Sequence, residues 1–145
     1  MSTWLADEYE RQFGVPFDVI TNATPYHDLR PTPVHDPIRL VHAGTSHRER
    51  NIETIVDAVE QLEGFTLDMY LTPNDPPHLA HLKERAQRIP AFTVHDPAPY
   101  DRLIETLNQY DVGVHLLPPR NFNFENTFPN KISDFAQARL AAVIG

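Results

Sequence analysis

This 145-residue sequence contains no cysteine. That excludes a disulfide framework, thiolate chemistry and cysteine-ligated zinc, and it is compatible with a reducing compartment. Glycine is scarce, five residues in all, and none of them builds G-x-G-x-x-G or G-x-x-x-x-G-K-[ST]. Dinucleotide and P-loop readings therefore lack the glycines that let a backbone approach phosphate. No apolar run approaches the length of a membrane span. The opening MSTWLADEYERQFG has neither the basic start nor the apolar core of a signal peptide, and a cytoplasmic location is expected. Positive charge is also short, twelve Lys and Arg against twenty Asp and Glu, for a formal net charge of −8. That balance argues against a broad nucleic-acid surface and against electrostatic binding to anionic lipid. Any anion site has to be a local exception.

What is present is well punctuated. Hydrophobic residues make up 41%, enough for a packed core and too much for wholesale disorder. From residue 37 onward, short apolar runs alternate with stretches of helical period. Strands are predicted at 38–44, 65–71, 91–96, 111–118 and 141–144. Between the first two, Ile52, Ile55, Val56, Val59 and Leu62 share one face of a helix. Pro76 and Pro77 start the next helix, whose buried stripe is predicted as Leu79, Leu82, Ala86 and Ile89. A third helix runs through Tyr100, Leu103, Ile104 and Leu107, and a last one starts at Pro129-Asn130-Lys131. Strands joined by helices of this length require crossovers and are parallel. Their nearly continuous apolar character fits a sheet covered on both faces. The expectation is an α/β fold, a doubly wound parallel sheet of Rossmann-like type.

The first 36 residues do not share this rhythm. Residues 2–14 are predicted helical, with Leu5, Tyr9 and Phe13 on one face, and FDVI (17–20) reads as a short strand. A proline-rich extended linker follows. The organisation expected is a remnant of a preceding domain plus linker over 1–36, and a binding domain over 37–145 that stops at its last strand. Apolar LAAVI (140–144) is then expected to lie partly uncovered and to favour self-association.

In open parallel sheets, ligands bind beyond the carboxyl ends of the strands, where strand order reverses. With the usual order, the first and fourth strands meet there. The loops leaving them, AGTSHRERN and LPPRNFNFENTFPNK, carry Arg48, Arg50, Arg120 and Lys131 in or near the first turns of helices. A cation at a helix N-terminus opposes the dipole. Such placement on an acidic chain points to a bound anion, helped by backbone N–H groups at the two helix starts. The alternative is a solvated Lys131 pairing Asp134 one turn on. Gly44 is the glycine placed for close ligand approach. His42, His95 and His115 all fall near strand carboxyl ends, with packing the simpler role for each. His78 and His81 have metal-ligand spacing without a third ligand, and read as surface histidines. Phe122, Phe124 and Phe128 read as loop packing.

The stretch NTFPNKISDFAQARLAAVIG resembles the LPNKLFEYLAAGLPVV signature of retaining GT-B glycosyltransferases of family 4. VHAGTSHRERNIETIVDAVEQL is similar to their VGRL…KGVDTLLEA segment, and YDRLIETLNQYDVGVHLLP to ELLALYASADVGLVPL. The resemblance covers residues 38–145, which match the nucleotide-sugar-binding C-terminal domain. It implies donor contacts from Gly44, Thr45, Arg50, Asn130 and Lys131, with Asp134 matching the ribose-binding glutamate. It assigns no catalytic residue, no metal and no cofactor beyond a nucleoside diphosphate sugar as donor substrate. It also implies a partner N-terminal acceptor domain and peripheral membrane association of the full enzyme, this piece alone being inactive. Asn126 replaces the family's first glutamate, with Glu125 beside it; Arg139 and Ala141 replace the glycine and proline of AAGLPVV. The replacement at Asn126 favours, as the alternative, a non-catalytic nucleotide-sugar-binding or regulatory module. A receiver-like domain is disfavoured because no acidic cluster follows the first strand.

Overall fold

The computed structural model describes residues 3–145. After helix α1 (Thr3–Phe13) and an irregular segment, the chain alternates strictly: β1 (Ile38–Thr45), α2 (Glu53–Val59), β2 (Phe65–Thr72), α3 (Pro76–Ala86), β3 (Phe92–His95), α4 (Leu103–Leu107) and β4 (Val112–His115). Helices α5 (Phe122–Asn126) and α6 (Asn130–Gln137) then lead to β5 (Ala141–Ile144). The five strands form one sheet in the order β3-β2-β1-β4-β5, and every pairing is parallel. The fold is α/β, doubly wound and Rossmann-like. No helix among the described residues is long and apolar enough to cross a membrane.

Alternation along the strands divides the core in two. Leu40, Leu67, Met69, Leu71 and Val114 pack on one face against Ile52, Ile55, Val56 and Val59 before and along α2, and Leu82 of α3. Val41 and Ala43 point the other way, against Ile104, Leu107 and Tyr110 around α4, and Phe135 and Ala138 around α6. Gly113 of β4 is the contact that seats α6. A side-chain carbon there would overlap the Phe135 ring, which is fully buried. At the other end of α6, Arg139 adopts φ 62°. This left-handed conformation costs an L-residue roughly 1 kcal/mol and favours glycine, the residue the resembled signature carries here. Arg139 is held instead by its guanidinium, which donates from Nε to the Leu29 carbonyl at 3.0 Å.

Several expectations require correction. No strand forms at 17–20: a strand needs a ladder partner, and this segment pairs with neither sheet edge, leaving Val19 and Ile20 exposed. His78 is not a surface residue. It lies fully buried on the stripe with Leu82 and Ile89, its Nδ1 donating to the Ser46 carbonyl at 2.7 Å. Its Nε2 is 2.8 Å from Glu53 Oε1, outside hydrogen-bonding geometry. Leu79 and Ala86 sit beside this stripe, partly buried, because the helix is rotated toward His78. Tyr100 leaves the core, 83% exposed, since residues 100–102 form a tighter 3₁₀ turn before α4. Phe13 is likewise exposed, whereas Leu5 is buried, and Tyr9 reaches Asn123 of α5 through a 3.0 Å hydrogen bond. The loop after β4 contains α5, whose N-cap Asn121 accepts from the Phe124 N–H at 2.9 Å.

The extended segment before β1 is tied to the sheet's helical cover. Thr24 donates to Asp134, the Gln137 side chain accepts from the His27 N–H at 3.0 Å, and Asn108 donates to the Arg30 carbonyl at 3.0 Å. Nearer β1, Asp111 accepts from the Arg39 N–H at 2.7 Å and the His35 N–H at 3.1 Å. At the opposite end of the chain, β5 is exposed along its length, with Val143 51% and Ile144 46% accessible.

Candidate functional site

Strand pairing creates the site. The β1–β2 ladder continues to Thr45↔Thr72, whereas β1 and β4 pair only at Leu40↔Val112 and Val41↔Gly113. Where that second ladder stops, the His42 imidazole takes over, its Nδ1 donating to the Val114 carbonyl at 2.9 Å. This is the point at which strand order reverses, and a cleft of about 320 Å³ opens at the carboxyl ends of the two strands. Gly44 forms part of its wall. A side-chain carbon at Gly44 would sit 3.0 Å from His42 Nε2, so a glycine both opens the cleft and spares the histidine.

Five of the six residues expected at a donor site line this cleft: Gly44, Thr45, Arg50, Asn130 and Lys131. Arg50 and Lys131 thus come together from segments about 80 residues apart in sequence. Arg48 and Arg120 do not line it. The guanidinium of Arg50 lies 4.8 Å from the centroid of the Phe124 ring, so α5 supports this cation through its π face. Thr45 is turned partly sideways, its hydroxyl donating to Asn74 Oδ1 at 2.9 Å. Only one helix start contributes, that of α6 through Asn130 and Lys131. The sequence reading expected two, but the chain makes a 3₁₀ turn at Arg48–Arg50 and α2 begins beyond the cleft.

Asp134 stands apart. It lines an adjoining hollow of about 160 Å³ with Asn22, Thr24, Tyr100 and Leu103, reached past Asn130 and Lys131, which border both spaces. Its buried carboxylate accepts from the Thr24 hydroxyl and, at 3.3 Å, from Lys131 Nζ. Lys131 therefore makes the pairing expected of a structural cation while it also borders the cleft. The Thr24 contact joins positions 110 residues apart and has no signal in the local sequence.

No family model matches the chain, and no curated protein matches it. The charge of the cleft is one-sided: Arg50 and Lys131 line it, and no carboxylate does among the described residues. Nor do the described residues contain a group of three or more His, Asp or Glu side chains able to hold a metal ion.

The floor of the cleft holds two histidines that sequence reasoning flagged by position but did not include in the site. His42 and His115 stack with ring centroids 6.2 Å apart and planes within 5°. Burial pushes the His42 imidazole down to about 4, with the charges of His115 and Lys131 adding to the effect. His115 is lowered in the same direction by burial, then by Lys131 and Arg50. Both rings are held neutral at pH 7. The third flagged histidine, His95, lies elsewhere, 2.5 Å from Asp68 and stacked on Tyr70 at 4.7 Å.

Proposed function

We propose that this chain is the donor-binding half of a glycosyltransferase that takes a sugar from a nucleoside diphosphate sugar. The observation that carries the reading is the convergence of Arg50 and Lys131 on one carboxylate-free cleft beside Gly44, at the switch point of the sheet. The two cations neutralise the diphosphate and stabilise the charge that develops as it leaves, without a metal ion. Asp134 accepts from the ribose hydroxyls once Thr24, whose hydroxyl donates to its Oδ1, gives way. An acceptor domain supplies the opposite wall of the active site, and a cytoplasmic location belongs to the same proposal.

The test is a calorimetric and thermal-shift panel of UDP, GDP, ADP and TDP sugars, with ligand binding raising the melting temperature. Arg50→Ala and Lys131→Ala should each cost about 2 kcal/mol of affinity, roughly thirtyfold, the scale of a lost charge-assisted hydrogen bond. Arg85→Ala should leave affinity unchanged, because Arg85 is engaged with Asp57 and Glu60 on α2 and just after it. Equal losses in all three would reduce the effect to bulk electrostatics, and loss of binding in EDTA would overturn the metal-free mechanism.

Asp134→Asn gives a second check. It should weaken a ribonucleotide by roughly 1 to 2 kcal/mol more than the matching 2′,3′-dideoxynucleotide. An equal loss for both would place Asp134 outside ribose recognition.

A second reading, a non-catalytic nucleotide-sugar-binding module, is favoured by Asn126. In place of a glutamate facing the donor, its side chain donates to the Phe122 carbonyl at 2.9 Å within α5. Donor binding without sugar transfer after the acceptor domain is supplied would select this reading.

A further inference from the structure

Among the described residues, His115 is the cleft side chain that is buried with both of its polar atoms unbonded. It is 9% exposed, yet neither ring nitrogen has a partner. A buried polar atom without a partner is costly, and native folds rarely tolerate one without a use for it. Among the described residues, no group bonds this ring. On β1 it faces His42, whose Nδ1 is already committed to the Val114 carbonyl. At the end of the 3₁₀ turn it feels Arg50, and on α6 Lys131, both of which repel its protonated form. No carboxylate lines the cleft among the described residues, so no protein group offsets a charge on the imidazole. What is missing is a single species that both accepts a hydrogen bond from His115 and reverses the sign of the local field. A multiply charged oxyanion does both.

We propose that His115 is itself a ligand of the anion bound in this cleft and takes up a proton as that anion arrives. The inference rests on the anion-binding reading of the cleft and adds to it a proton-linked contact from β4. In the empty cleft the ring is neutral; with a diphosphate between Arg50 and Lys131 it becomes a third cation, donating to a phosphate oxygen. Binding and protonation then reinforce one another. The stacking on His42 holds the ring in place, and His42 itself stays neutral because burial disfavours its charged form.

The experiment titrates the 145-residue chain with sulfate and, separately, with UDP-glucose. Both probes carry a fixed charge near neutral pH, so any proton exchanged comes from the protein. Calorimetry in buffers of different ionisation enthalpy measures the proton count. Uptake approaching one proton per anion is expected near neutral pH, with affinity rising by up to about tenfold per pH unit between about pH 8 and pH 6. His115→Asn should bind more weakly and lose the uptake. Ring nitrogen resonances of the unsubstituted protein provide an independent readout: on adding sulfate, the His115 pair should move to imidazolium positions. Anion binding without proton uptake, or uptake that persists in His115→Asn, would overturn the assignment. Proton-linked sulfate binding with no preference for UDP-glucose would sink the nucleotide-sugar reading and leave His115 an oxyanion ligand. Tight UDP-glucose binding without uptake would do the reverse, and binding of neither probe would overturn both.

Discussion

Gly113→Val is expected to destabilise the protein by about 3 kcal/mol, measured as a drop in the denaturant midpoint. Even the first added carbon at Gly113 would overlap the Phe135 ring, and two further methyl groups extend the clash. The ring cannot swing aside cheaply, because it is fully buried among Val41, Leu107 and Ala138. Of the large side chains of α6, Phe135 is the one wholly inside the core, so displacing it moves the helix. Lys131 and Asn130 sit at the start of that helix, and the variant should therefore lose anion affinity along with stability. Shrinking the ring tests the mechanism. Gly113→Val combined with Phe135→Leu should recover part of the loss that Gly113→Val shows alone, a coupling of contacting residues. A midpoint change equivalent to less than about 0.5 kcal/mol in Gly113→Val would show that α6 is not seated by this contact.

Mild acid should remove a comparable amount of stability. The His42 imidazole is held neutral by burial, its pKa lowered to about 4, whereas an unfolded histidine titrates near 6.5. Below about pH 6.5 the unfolded chain therefore binds a proton that the native state refuses, and unfolding becomes easier as pH falls. The stability contributed by this group is fully present above the unfolded value and is lost on descending through the folded one. Over that window the loss attributable to His42 is about 3 kcal/mol. His115, lowered in the same direction, adds to it with the same sign. His42→Gln keeps an amide donor for the Val114 carbonyl and cannot titrate. Its stability should fall less steeply between about pH 6.5 and pH 4, the residual slope belonging to His115. A slope unchanged in His42→Gln would assign the acid sensitivity to other groups. Asp111 does not confuse the window. Its burial favours the neutral form, but hydrogen bonds from the Arg39 N–H and from His35 outweigh this and hold its carboxyl below the ordinary value, so it titrates at lower pH.

These two results bear on the same junction between β1 and β4, and its parts were unequally legible in the sequence. Apolar runs bounded by turn residues located all five sheet strands, and β5 was expected at the very residues where it forms, 141–144. The doubly wound arrangement followed from alternation, because parallel neighbours need crossovers that cover both faces. The proline pair at 76–77 marked the start of α3, where Asp75 accepts from the His78 N–H at 3.1 Å. Gly44 at the carboxyl end of β1 and Lys131 in the first turn of α6 were also legible, since both are local features.

What depended on contacts between distant segments was not. FDVI has the composition of a strand, but composition supplies no ladder partner, and none is beside it. His78 was read by polarity as exposed, although helix phase placed it with Leu82; the nearby Ser46 carbonyl, a tertiary contact, helps make burial of the imidazole tolerable. Strand order made β1 and β4 neighbours in expectation, yet nothing local says that their ladder ends after two pairs, or that His42 fills the gap. Likewise Asp134 resembles a free ribose ligand in sequence, while the folded chain brings Thr24 onto its carboxylate. The sequence by itself determined which segments are strands and helices, since periodicity and turn chemistry act over a few residues. The tertiary structure alone decided which cations share a cleft, which carboxylate is occupied and which histidine is left unpartnered. Those depend on distances between groups tens of residues apart along the chain, where burial and charge take their values from the neighbours that packing supplies.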